Sequence, residues 1–137
     1  MEFQDLMSRF AVALGIGLLI GLERGWRMRE ERAGSRTAGI RTFAISGLLG
    51  GIVGALALAF GGATHPSGGL VLGFGLAAYA VVFAMFCREE NRADKIFSAT
   101  TAIAGIVTFS LGAYALIGDV HAAAALTVAA AVILALR

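Results

Sequence analysis

Charge is scarce in this chain. Only 15% of its 137 residues are Asp, Glu, Lys or Arg, against about a quarter in an ordinary soluble domain. Between Arg41 and Arg88 there is no charged residue at all, and a second such gap runs from Lys95 to Asp119. One proline leaves long stretches without a helix breaker. The single cysteine, Cys87, excludes a disulfide framework or a thiolate metal cluster. No Ser-His-Asp arrangement, phosphate-cradling loop or metalloprotease spacing is present, so the chain reads as no enzyme. A nucleic-acid footprint needs a basic face on a soluble domain, and none is found.

What is there instead is apolar. Hydrophobic residues make up 58% of the chain, and its mean hydropathy is +0.84. A domain this small leaves too much surface exposed to hide that content from water. A helix crossing the hydrocarbon layer needs roughly 20 mostly apolar residues, so the first uncharged gap holds two spans and the second holds one. The expected fold is all-α: a polytopic membrane bundle, one domain over 1–137, with about five transmembrane helices near 6–22, 42–60, 70–87, 96–117 and 120–137. The Gly/Pro-rich "GGATHPSGG" turn (61–69) separates the second and third. The last apolar stretch, Ala122 to Leu136, is short for a crossing, which predicts a chain cut from a longer protein.

The cations set the orientation. Arg24, Arg27, Arg29, Arg32, Arg36 and Arg41 border or fill the first connection, and Arg88, Arg92 and Lys95 fill the third, read as a charged loop. Connections rich in Lys and Arg stay cytoplasmic, which places the N-terminus outside and the C-terminus inside. Arg9 is the exception, near the outer end of the first helix, where it is expected to snorkel to the headgroups.

Lipid gives apolar helices no hydrophobic reason to associate, so small residues must let backbones meet. Gly17 and Gly21 on the first helix, and Gly47, Gly50, Gly51 and Gly54 on the second, form small-xxx-small pairs expected to pack helices; Gly69 and Gly73 form a similar pair on the third. On the fourth, Ser98, Thr101, Gly105, Thr108 and Gly112 share one stripe at about 100° per residue. Such a stripe suits close packing with interhelical hydrogen bonds, or the lining of a polar path.

The first helix ends in "LLIGLERGWR", where Glu23 and Arg24 interrupt the apolar run. Trp26 fits the interfacial belt, and one reading makes the charges simple anchors. The other is a buried network of Glu23, Arg24, Arg41 and Thr42 organising a site on the cytoplasmic side, and burial there demands partners. His65 and His121 lie in separate outer turns and read as solvated. Glu89, Glu90 and Asp94 are interleaved with Arg88, Arg92 and Lys95, which weakens any pull on a cation. No metal site and no cofactor are expected; Mg²⁺ is compatible with the chain but has no ligand cluster behind it.

"GLLIGLERGWRMREERAGSRTAGIRTFAISGLLGGIVGAL" resembles the signature of the MgtC/SapB family of bacterial inner-membrane proteins. The matching positions are Gly17, Gly21, Glu23 and Arg24, then Gly39, Ile40, Arg41 and Thr42. "SATTAIAGIVTFSLGA" is similar to a helix of a longer-chain branch of that family: Thr100, Thr101, Thr108, Phe109, Leu111, Gly112 and Ala113 keep its pattern. Ala102 stands where that branch usually has a carboxylate. The resemblance implies a multi-pass protein of the bacterial inner membrane, linked to magnesium homeostasis, growth at low magnesium and modulation of the membrane ATP synthase. On it, and on the missing catalytic constellation, rests the expected role: binding and regulation, with a membrane-protein partner; a homodimer is expected from the glycine faces of an odd, five-helix bundle. The rival readings are a small homodimeric ion transporter or channel, its path lined by the helix-4 stripe, and a purely structural dimerisation unit.

Overall fold

In a computed structural model the described residues form five helices: α1 (Phe3–Arg27), α2 (Ile40–Ala59), α3 (Pro66–Asp94), α4 (Thr100–Ile117) and α5 (Val120–Ala135). The structure describes residues 2–27, 39–61, 64–94 and 100–136, with the side chains of 27 and 90–94 outside that description. Ser98, Lys95 and the basic segment 28–38 lie outside the described residues.

The chain is an all-α membrane bundle. The first four helices are long and apolar enough to cross a bilayer, and α5, at 16 residues, is a shorter apolar helix. Two helices outrun the apolar windows. At ~1.5 Å per residue, α1 reaches about 37 Å and α3 about 44 Å, against ~30 Å of hydrocarbon. The segment after Cys87, read as a charged loop, is therefore a helical continuation of α3 as far as Asp94. Leaving the apolar layer gives a helix no reason to stop, and between Gly75 and Asp94 no glycine or proline breaks it. At the other end Pro66 opens α3, where its missing N–H and fixed φ suit the first helical position. The turn before it needs Gly61, whose φ of +108° suits a residue without Cβ. Asp119 caps α5, its Oδ1 accepting from the amides of His121 at 2.9 Å and Ala122 at 3.3 Å.

α1, α2 and α4 pack as the central trio, with α3 laid on α2 and α4, and α5 on α1 and α4. The buried residues of α1 (Ala13, Ile16, Gly17, Ile20, Gly21 and Arg24) recur at helical spacing along one stripe. α2 buries mainly glycine, so main chains meet directly. A Cβ on Gly47 would stand 2.5 Å from the Ala13 carbonyl oxygen of α1, and one on Gly54 would stand 2.8 Å from that of Ala113 in α4. On Gly50 and Gly112 a Cβ would strike the carbonyls of Phe109 and Gly47, and on Gly17 that of Phe43. Contacts this close admit weak Cα–H···O bonds, each worth perhaps 0.5–1 kcal/mol.

α3 differs. Gly69 and Gly73, read as a packing pair, would have nothing within 4 Å of an added Cβ; α3 approaches α2 through Gly75, against Val53, instead. Aromatic rings complete that contact. Tyr79 stacks on Phe83 at 5.4 Å and on Phe109 of α4 at 4.8 Å, while Phe83 meets Phe43 of α2 edge-on at 6.2 Å.

Candidate functional site

Among the described residues, three places carry side-chain hydrogen bonds from one helix to another, and the first is the arginine-rich end. Arg24, in the last turn of α1, is 7% exposed, and its Nη2 donates to Thr101 Oγ1 in the first turn of α4 at 2.9 Å. Arg24 Nε and Glu23 Oε2 are likewise covered by protein. α1 must continue past its apolar run for this to happen: the stripe that buries Gly17 and Gly21 carries Arg24 into the α1–α4 contact, seven residues beyond Gly17. Glu23, on the adjacent face, is half-buried.

The four residues grouped from the sequence thus separate. Glu23 and Arg24 turn into the bundle. Arg41 is exposed on the first turn of α2 and makes no hydrogen bond or ion pair among the described residues; it does not meet Glu23. Thr42 is half-buried, and its carbonyl accepts from Ser46 Oγ at 2.7 Å. The charged side chain of α1 instead meets Thr101, which belonged to the helix-4 stripe.

That stripe is filled along its described length. Thr101 holds Arg24. A Cβ on Gly105 would run into the Phe83 ring of α3, and Gly112 lies on the main chain of Gly47. Thr108 is fully buried and returns its hydroxyl to the Ala104 carbonyl at 2.7 Å. Small residues here admit neighbouring helices, and Ser98 lies outside the described residues.

A second polar chain bridges α2 and α3. Tyr79 Oη donates to Ser46 Oγ at 2.7 Å, and Ser46 Oγ donates in turn to the Thr42 carbonyl oxygen. These groups floor a laterally open groove of about 460 Å³, walled by Ile45 and Leu49 on one side and Val82 and Phe86 on the other. Nothing in the spacing of α2 and α3 announces it, because both helices are apolar on every face.

The third place is the far end of α1. Arg9 was expected to reach the headgroups; it reaches the C-terminus of α4. Its Nη1 donates to the carbonyls of Gly118 at 2.8 Å and Ala115 at 3.0 Å, with a longer bond to Leu116 at 3.4 Å. Its Nε pairs with Asp5 at 3.2 Å. Those carbonyls have no helical partner and carry the negative end of the helix dipole, so a cation is held there twice over. The Asp5–Arg9 spacing was visible in the sequence. The long-range acceptors, being backbone atoms, were not.

His65 and His121 are exposed in their separate turns. Among the described residues no three His, Cys, Asp or Glu side chains gather as a metal site.

The model of the MgtC family matches residues 10–137, nearly the whole sequence, and the chain belongs to that family. No curated protein and no solved structure matches it.

Proposed function

From membership in the MgtC family, which ties the chain to magnesium homeostasis in general, we propose that it acts by binding rather than by catalysis or transport. It is a regulator in the cytoplasmic membrane, working as a homodimer that engages a membrane-protein partner through its arginine-rich end. The observation that carries this reading is Arg24, buried at 7% exposure and bonded to Thr101 where α1 ends and α4 begins. An ionisable side chain inside a membrane bundle is expensive and is by default a functional feature. A simple interfacial anchor would keep its guanidinium in the headgroups, as exposed Arg41 is free to do. The filled stripe of α4 supports regulation over passage, since its glycines lie against Phe83 and Gly47 and leave no lining to a path.

The test is a deletion strain of the source organism, complemented with the intact protein or with Arg24→Ala and grown at limiting and at ample magnesium. The intact protein restores growth at limiting magnesium only, and Arg24→Ala at equal membrane abundance does not. Normal growth of the deletion strain at limiting magnesium overturns the proposal. So does Mg²⁺, H⁺ or anion flux into liposomes carrying only this protein.

A further inference from the structure

The α2–α3 groove is not used by the reading above, and its two ends differ in chemistry. Along its floor the hydroxyl protons are already committed: Tyr79 to Ser46, and Ser46 to the Thr42 carbonyl. The groove therefore offers no free donor from these two residues to a polar solute. Its walls, Ile45, Leu49, Val82 and Phe86, are hydrocarbon and ring. From Thr42 to Leu49 it runs about 10 Å along α2, at ~1.5 Å per residue. An apolar, laterally open channel of that length holds part of an acyl chain, about 10 Å of the roughly 15 Å depth of one leaflet.

The mouth is charged. Arg41 stands exposed one residue before Thr42, with no hydrogen bond or ion pair among the described residues. The N-cap of α2, Gly39, supplies no side-chain acceptor to the helix's first amides. Across the mouth, Glu89 is exposed on α3, one turn past Phe86. Arg41 and Glu89 thus lie just beyond the groove's lining on α2 and on α3, where Arg88, also exposed, ends the uncharged stretch beside Glu89.

We propose that the α2–α3 groove retains one zwitterionic phospholipid, its acyl chain along Ile45, Leu49, Val82 and Phe86, its phosphate on Arg41 and its ammonium toward Glu89. Pockets lined mainly by apolar side chains with a few placed polar groups are the usual form of a small-molecule site, and basic positions beside membrane helices recognise headgroups. The apolar walls select the tail, and Arg41 and Glu89 select the head. This site is independent of Arg24 and of any link to magnesium.

Native mass spectrometry of the full chain released from detergent tests it, with phosphatidylethanolamine, phosphatidylglycerol and diacylglycerol of matched chains added in turn. One phosphatidylethanolamine per chain is expected to survive release, retained about tenfold better than either of the others. Ile45→Trp fills the groove and lowers retention by about tenfold, whereas Leu58→Trp, exposed on α2 outside the groove, leaves it unchanged. Arg41→Gln, on the surface and harmless to the core, removes the preference over diacylglycerol; Glu89→Gln removes that over phosphatidylglycerol. Equal retention in Ile45→Trp and Leu58→Trp overturns the site, as does preference for phosphatidylglycerol in the intact chain. Cross-linking of two copies through Ile45→Cys, replacing lipid in the groove, overturns it in favour of a second chain.

Discussion

The two ends of α1 each send an arginine to α4, and they do so for opposite reasons. Arg9 meets the C-terminus of α4, where unbonded carbonyls and the helix dipole both favour a cation. Its side chain keeps 21% exposure and an ion pair with Asp5. Arg24 meets the N-terminus of α4, where that dipole repels it; the C-terminal turn of its own helix only offsets this. It is nevertheless the more deeply buried of the two, and Thr101 Oγ1 is among the atoms it reaches. Helix physics accounts for Arg9 completely. The dipole of α4 does not favour Arg24, and its burial there is the observation on which the proposed function rests.

Removing Arg24 is the severest way to probe that contrast. Arg24→Ala is expected to destabilise the bundle by about 3–5 kcal/mol, the usual penalty for breaking a buried charged network, read by thermal unfolding in detergent. Arg24→Lys should recover part of this stability without restoring growth at limiting magnesium, because an ammonium lacks the planar fork of the guanidinium. Growth restored by lysine would reduce Arg24 to a bulk charge and erase the difference between the ends.

Next comes the spacing that both ends share. Gly112→Ala pushes a methyl onto the Gly47 carbonyl, so α2 and α4 must part, at about 1–3 kcal/mol. Activity and stability should fall together in this variant. Gly73→Ala, facing no neighbour in the chain, serves as its neutral control in the monomer.

Arg9→Gln follows, with an expected loss of at most about 2 kcal/mol, the upper range for a cation at a helix C-terminus. Here growth at limiting magnesium should be kept, provided the protein is expressed to the same level. Loss of growth without loss of stability would break the comparison outright. The smallest effect is reserved for Thr101→Val, about 0.6–1.7 kcal/mol for one hydrogen bond between membrane helices. Combined with Arg24→Ala its effect should vanish, since the pair is one interaction; additive losses in that double-mutant cycle would show that the two act separately.

The bilayer and the glycine contacts of α1 and α2 were legible in residue order. Uncharged runs and small-residue spacing are local signals that the membrane makes decisive. Which face of α3 packs was not legible. Gly69, Gly73 and Gly75 sit on a helix apolar all round, and only its tertiary placement puts Gly75 on Val53 while leaving the others open. Arg9 was misassigned for a related reason: its acceptors are main-chain carbonyls more than a hundred residues away, and carbonyls leave no trace in a sequence. Arg41 was grouped with Glu23 because both flank the same connection, yet flanking residues on two helices need not share a face.

The glycine surface of α2 has a mechanical consequence. Where side chains separate two helices, rotamer changes let one slide without the other. Here Gly47, Gly50 and Gly54 put main chain on main chain, and a carbonyl has no second position to adopt. α4 therefore rides on α2 as a stiff rod rather than a cushioned one. Thr101 and the carbonyls gripped by Arg9 sit at opposite tips of that one rod.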